Sequence, residues 1–410
     1  MMTVTIQTVG SKGDGLAFQH ESRVAIPFAL PGEVVEISPI DGDRATLLSI
    51  TTPSPDRVEP FCKHFGTCGG CALQHWSQSA YQVWKRDLVM SALEREGITT
   101  IVEPLVAAHG VGRRRVTLHV RFGEGGAKAG FMAAKSHKVV DLDTCPILVP
   151  ALATAPDIAR QLAGPLRRYE KPLDMQLTAT DTGLDVDIRG VGKIDDPVRL
   201  LLSALAKKLD LARLTVHGKL ILEQRAPMIQ IGKARVSPSA GGFLQATTEG
   251  EAALAGLVRA ALPAKTKRVY DLFCGVGPFS LAVAEVASVR AIDTELTSLH
   301  ALKRGVDMTQ GLKPVVIEQR DLAHSPLSAP ELKEVDVVIF DPPRAGAEGQ
   351  ARALAKSKVP VVIAVSCNPQ TFARDARLLI DGGYVLERVT PVDQFAWSAH
   401  VEMVGRFRRG

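Results

Sequence analysis

The 410-residue sequence has no apolar run approaching the length of a membrane span. Its opening, Met-Met-Thr-Val-Thr, lacks the basic-then-apolar profile of a secretory signal, so a cytoplasmic location is expected. Internal repeats and low-complexity tracts are absent, which sets aside solenoids and disordered scaffolds. Cysteine is scarce, six residues in all with three packed together, a usage that excludes a disulfide framework and points to metal. Charge of one sign is not in large excess either; a net charge of +5 accommodates a nucleic-acid partner without requiring one. What remains is an ordinary globular composition, 46% apolar and 23% charged, in a chain long enough for two or three domains.

The chain is organised around residues 269–284, VYDLFCGVGPFSLAVA. A β-rich run from Arg268 stops at Cys274-Gly-Val-Gly277, and a helical pattern opens with Pro278 at its first turn. Strand, glycine turn and helix form a nucleotide-site geometry, because glycines let backbone approach a ligand and a helix start presents unpaired N–H groups. The pattern is G-x-G without the third glycine, which favours a nucleoside ligand lacking a pyrophosphate. Three further strand ends carry acids: Asp293 after Val289-Arg-Ala-Ile, placed for ribose hydroxyls; Asp321 after Ile317-Glu-Gln-Arg, suited to an adenine amino group; and Asp341 in the stiff turn Asp341-Pro-Pro-Arg344. Singly, each is as readily a solvated or capping acid. In this order and spacing they resemble the class I S-adenosylmethionine-dependent methyltransferases, which implies a Rossmann-like α/β sheet and S-adenosylmethionine as cofactor.

Upstream, short apolar runs at Thr3–Ile6, Arg23–Phe28, Glu33–Ile37 and Ala45–Ile50, punctuated by glycines, predict a small antiparallel barrel over residues 1–54; it resembles the TRAM domain of some RNA-modifying enzymes. A linker, Thr51-Thr-Pro-Ser-Pro-Asp56, leads to a mixed α+β domain over 55–241. Here Cys62, Cys68 and Cys71 stand at C-x5-C-x2-C, and the remaining cysteine off the methyltransferase motifs, Cys145, precedes Pro146. Zinc prefers paired C-x2-C knuckles or spaced histidines, whereas three close thiolates and one remote suit a cubane. The four are assigned to a [4Fe–4S] cluster, with structural zinc as the alternative and His64 and His75 as further candidate ligands. Ser77–Glu96 predicts an amphipathic helix with Tyr81, Trp84, Leu88 and Leu93 on one stripe. Arg113, Arg114, Arg115 and Arg121, at the entrance of a strand, are candidates for RNA phosphates. Hairpin strands near Met175 and Leu184 complete this domain, and Phe243–Ala246 reads as a short strand leading into a helix over 249–262.

The methyltransferase domain, 242–410, ends in two chemically loaded turns. Ser366-Cys367-Asn368-Pro369 sets a thiol at the end of a parallel strand and at a helix mouth, where N–H dipoles favour the thiolate. In the terminal His400-Val-Glu402, Glu402 is a candidate base and His400 a candidate orienting group. With DLFCGVG, DPPR, SCNP and HVE in place, preceded by C-x5-CGGC-x2-Q and the TRAM-like unit, the chain resembles the RNA 5-methyluridine methyltransferases over nearly its whole length. The resemblance implies Cys367 as nucleophile, Glu402 as base, a cofactor pocket of Gln245, Phe273, Asp293, Asp321 and Asp341, and Cys62, Cys68, Cys71 and Cys145 as cluster ligands. Family forms that combine barrel and cluster mostly act on 23S ribosomal RNA; transfer RNA is the alternative substrate, and a cluster-bearing RNA-binding or redox-sensing protein without turnover the alternative of another class. No obligate protein partner is expected. Two positions depart from the pattern: Pro278 replaces a polar residue, and Ala396-Trp397 replaces a proline and histidine ahead of the terminal motif.

Overall fold

The computed structural model describes residues 2–19, 22–134 and 136–410. The N-terminal strands form two three-stranded antiparallel sheets, Met2–Thr5 with Val34–Ile37 and Leu47–Thr52, and Thr8–Val9 with Gly15–Gln19 and Ser22–Ile26. Strand alternation turns Val4, Val24, Val35 and Ile37 into one shared core. The expected linker is held rather than free. The wholly buried Glu33 carboxylate accepts from the backbone of Leu30 and Ser54 and from the Arg57 guanidinium at 2.6 Å. Burial pushes its pKa up, and these donors more than offset that, leaving it below the ordinary carboxylate value.

The middle unit is a seven-stranded sheet in the order 139–141, 126–132, 115–123, 173–180, 183–189, 213–216, 219–223. Helices Ala155–Ala163 and Asp196–Lys208 pack Leu162 and Leu202 against its Leu118 and Leu177. The arginine run departs from expectation. The strand begins at Arg115, and Arg114 is buried, donating to Glu251 at 2.7 Å and to the carbonyl of Gln245. Arg115 donates to the Gly242 carbonyl and lies over the Phe243 ring, while Arg113 lies over Phe395. The third unit packs where these arginines emerge, so Arg114 and Arg115 bind protein acceptors and Arg113 stacks on an aromatic face instead of presenting a phosphate face.

The third unit opens with helix α1 (Thr248–Ala260), capped by Thr247, whose hydroxyl accepts from Gly250. Then come β1 (Arg268–Leu272), α2 (Pro278–Ala284), β2 (Ser288–Asp293), α3 (Leu296–Asp307), β3 (Val315–Gln319), β4 (Val337–Phe340), α4 (Glu348–Ala355), β5 (Val361–Ser366), α5 (Pro369–Asp381), β6 (Tyr384–Asp393) and β7 (Glu402–Arg409). Sheet order is β3-β2-β1-β4-β5-β7-β6, parallel except β7, which inserts antiparallel between β5 and β6. Every residue of β4 and β5 is buried, as central strands covered on both faces require. Order reverses between β1 and β4, opening the crevice at their carboxyl ends where such sheets bind ligands. Phe243–Ala246, expected as a strand, is extended chain outside any ladder; the Ala246 N–H donates to the Gln394 side chain instead.

The sheet recruits part of the expected middle domain. Ile101–Val102 and Val106–Ala107 add parallel to β6, and helix Gln78–Arg95 sends Val89, Ala92 and Leu93 into the core that holds Phe372 and Leu379. That helix is capped by Ser77 and followed by Gly97 at φ +65°, as its sequence predicts. Its buried stripe also contains Lys85, 0% exposed, whose ammonium is 2.5 Å from Asp393. No helix among the described residues is long and apolar enough to cross a membrane. Removing one partner of a buried ion pair strands the other charge, so Lys85→Met and Asp393→Leu are each expected to lower the unfolding free energy by roughly 3–5 kcal/mol. Urea unfolding of the three proteins measures this; a single variant as stable as the parent refutes it.

Candidate active site

At the carboxyl ends of β1, β2, β4 and β5 lies an open cavity of about 840 Å³, lined by all seven expected cofactor and catalytic residues: Gln245, Phe273, Asp293, Asp321, Asp341, Cys367 and Glu402. Its size falls in the ordinary range for ligand sites. The turn after β1 makes its floor. Phe273, Gly275 and Gly277 have φ of +61°, +53° and +84°, and a Cβ on Gly277 would stand 2.4 Å from Leu302 of α3. The turn is fixed to β2 through Asp293, whose carboxylate accepts from Gly275 at 2.9 Å and from Glu295 at 2.8 Å. Asp321, on the exposed rim, caps its own turn by accepting from Ala323 and His324, and the His324 hydrogen bond holds its pKa below the usual value.

Cys367 and Glu402 come together because of β7. Its antiparallel register sets Met403 opposite Ser366, so the next residues outward, Glu402 and Cys367, face each other at the cavity. The turns after β4 and β5 are tied: Asn368 caps α5, accepting from Gln370, and donates to the Arg344 carbonyl at 3.0 Å. Gln245 donates toward Asp341 at 3.4 Å.

The electrostatics overturn one expectation. Despite the helix mouth, the Cys367 thiol is pushed up to about 11, by burial first and then by the negative charges of Glu402 and Asp341, with Arg344 acting the other way. Asp341 is raised well above the carboxylate range by burial and by Glu402, and burial brings Glu402 to about 7 against the opposing effects of Gln394, Lys85 and Arg344. Burial at the carboxyl ends of these strands thus makes Cys367, Asp341 and Glu402 hold their protons more tightly than exposed groups of the same kind. Asp271, fully buried behind the turn, is likewise raised to about 7, mainly by burial; Ser280 donates to one oxygen at 2.6 Å and the other has no partner.

His400, the expected orienting group, packs its ring edge-on against Phe395; the hydrogen bond to Glu402 comes from Gln394 at 3.1 Å. The residues from Gln394 to Val401 form a loop, so two-residue spacing does not place 400 and 402 on one face. Gln394 escaped the sequence reading because no local pattern distinguishes it, and Lys85 because it reads as a polar interruption of a helix stripe.

The four other expected ligands also converge. Cys62, Cys68, Cys71 and Cys145 line one small pocket walled by Phe65, Phe131, Leu142 and Ile147, and all four are free thiols. Gln74 accepts from the Cys62 N–H, and burial pushes the Cys145 thiol up to about 12. Among the described residues, no group of three or more His, Cys, Asp or Glu side chains is arranged to hold a metal ion. His75 is buried against Phe28 and Phe65, its basicity lowered to about 4 mainly by burial, which marks a core residue.

The family described as tRNA (Uracil-5-)-methyltransferase matches residues 318–407. An uncharacterized RNA methyltransferase of Brucella suis biovar 1 (strain 1330) is 48% identical over 407 residues, spanning 99% of this chain and 98% of that one. The 23S rRNA (uracil(1939)-C(5))-methyltransferase RlmD of Chromohalobacter salexigens is 33% identical over 97% of this chain and 87% of its own. Among solved structures, the Pyrococcus abyssi tRNA (uracil-54, C5)-methyltransferase in complex with S-adenosyl-L-homocysteine has the same fold, with a TM-score of 0.74 at 21% identity over 99% of this chain and 100% of that one. Similarity that spans nearly the whole chain, together with this cavity, makes the protein a member of the S-adenosylmethionine-dependent RNA (uracil-C5)-methyltransferase family.

Proposed function

We propose that this enzyme forms 5-methyluridine in 23S ribosomal RNA through a covalent Cys367–uracil adduct. The observation that carries the reading is the meeting of Cys367 and Glu402 across β5 and β7, at the cavity bounded by Gln245 and Asp341. Uracil C5 is a poor nucleophile. Addition of the Cys367 thiolate at C6 converts the ring to an enolate whose C5 can take a methyl group. The cofactor supplies an electrophilic methyl on a cationic sulfur. Glu402, as carboxylate, then removes the C5 proton, the C6–S bond breaks, and the thiolate returns with the 5,6 double bond restored. Gln245, Phe273, Asp293, Asp321 and Asp341 are the proposed cofactor contacts. The ribosomal substrate is favoured by the 33% identity, over nearly the whole chain, to the Chromohalobacter enzyme named for 23S rRNA. Residues 1–54 serve as a TRAM-like RNA-binding unit and 242–410 as the methyltransferase domain, whose sheet and core also take in helix Gln78–Arg95, Ile101–Val102 and Val106–Ala107 from the 55–241 cluster domain.

We also assign Cys62, Cys68, Cys71 and Cys145 to a [4Fe–4S] cluster. Four unpaired thiols facing one apolar pocket support this. Donors around a single zinc ion each lie about 2.3 Å from it, whereas a cubane binds each thiolate to a different iron and tolerates wider spacing. The cluster would hold the cysteine loop, whose Ala72 and Leu73 N–H groups donate to the Trp397 carbonyl beside the catalytic residues.

Three outcomes test these assignments. Cys367→Ala should form neither adduct nor methylated RNA, while Glu402→Gln should accumulate a methylated covalent adduct on a denaturing gel; normal turnover by either variant refutes the role given to it. Alkylation of Cys367, followed by peptide mass spectrometry, should titrate near pH 11 in the free protein and at lower pH with S-adenosylmethionine than with S-adenosylhomocysteine, because only the former carries a positive charge; identical titrations would exclude that coupling. Anaerobically purified protein should contain iron and labile sulfide at about four each per chain, and one tight zinc without sulfide would overturn the cluster.

A further inference from the structure

Gln394, directly after β6, is 0% exposed and has every polar atom engaged. Its amide nitrogen donates to Glu402 at 3.1 Å and to Gln245 at 2.6 Å, and its oxygen accepts from the Ala246 N–H at 2.9 Å. Two donor hydrogens and two acceptors on different elements leave the amide one orientation. Space for it depends on α1: a Cβ on Gly250 would lie 2.6 Å from the Cβ of Gln394. Gln245 in turn donates toward Asp341, so an unbroken chain of hydrogen bonds runs from the cofactor edge to Glu402 through Gln394.

We infer that Gln394 is the positioning residue for the proton-removing step, holding Glu402 toward the substrate in its ionised form while fixing Gln245 on the cofactor side. The inference rests on the proposed role of Glu402 as base. An N–H donated to a carboxylate stabilises the charged form and so lowers its pKa; removing the donor raises it. The groups facing Glu402 have opposing effects: Lys85 from helix Gln78–Arg95 and Arg344 from the turn after β4 favour the carboxylate, whereas Asp341 from that same turn and any thiolate at Cys367 disfavour it. Gln394 is the neutral donor in direct contact, acting where burial works hardest against ionisation. Because the base must be ionised to accept the C5 proton, the rate of adduct breakdown falls as pH drops through the Glu402 pKa, and loss of Gln394 moves that fall to higher pH.

The test follows the preformed covalent, methylated adduct in single-turnover experiments across pH 5.5–10 (roughly the window that brackets an ionisation near neutrality), with the wild type, Gln394→Met and Gly250→Ala. Methionine keeps length and bulk without a donor, and an alanine Cβ at Gly250 would stand 2.6 Å from Gln394 and 2.7 Å from the Thr247 capping hydroxyl, displacing Gln394 at some cost to the helix start. For both variants the acid limb of adduct breakdown should shift upward by about one pH unit, making breakdown about fivefold slower at pH 7, about tenfold slower well below it, and near wild type above the shifted limb. A breakdown rate lowered equally at every pH, with the limb unmoved, would show Gln394 to be merely structural and overturn the inference. Should Gln394→Met not fold, Gly250→Ala decides the matter alone by the same criterion. If Glu402→Gln accumulates no adduct, the assignment of the base fails and this inference with it, an outcome distinct from an unmoved limb in a protein that does form adduct.

Discussion

Asp393 is the buried charge on which the catalytic edge depends. Its carboxylate accepts from the Lys85 ammonium, from the Tyr81 hydroxyl at 2.8 Å and from the Phe395 N–H at 3.0 Å, while the Tyr81 oxygen accepts from the Trp397 N–H. Three of these partners would each be costly to bury alone, and together they satisfy one another. Helix Gln78–Arg95 thereby fixes the loop that leaves β6 and returns as β7. That loop carries Gln394, and its return point is Glu402. A segment far upstream in the chain is therefore part of the catalytic scaffold.

The same loop meets the cysteine-lined pocket. Trp397, at φ +60°, turns its carbonyl to Ala72 and Leu73, and its ring lies between Phe61 and His109 at centroid distances of 4.8 and 5.0 Å. Order in the loop from Cys62 to Cys71 is thus mechanically connected to order around His400 and Glu402. The connection runs through backbone hydrogen bonds and ring contacts between the two loops.

Inside the cavity, burial raises Asp341, Glu402 and Cys367, and the charge of Glu402 raises the other two further. Acid groups crowded into a low-dielectric site hold their protons until a cation or a hydrogen-bond donor shares the charge. A raised pKa leaves little Cys367 thiolate near neutral pH in the unliganded protein.

Much was legible before any fold was known. Strand-glycine-helix punctuation around Gly275 and Gly277, the acids at 293, 321 and 341, and the turns at Asp341-Pro-Pro and Ser366-Cys-Asn-Pro are local patterns, and local patterns survive in sequence because each is dictated by backbone sterics and strand direction. Helix Gln78–Arg95 was likewise written in its cap, its stripe and Gly97. What local pattern could not carry was partnership. Arg114 looks like a solvent-facing phosphate contact until Glu251, 137 positions away, claims it; Lys85 looks like surface until Asp393 does. His400 seemed placed to orient Glu402, and Gln394 seemed to be nothing, because loop geometry rather than spacing selects the partner. The helix mouth suggested a thiolate at Cys367; burial first, and then the carboxylates delivered by other strands, reversed that. The sequence by itself determined the elements and the residue types available at their ends. Which side chains share a low-dielectric space, and hence their charge, was decided by the tertiary structure, since burial and Coulomb interaction depend on distances that chain separation does not encode.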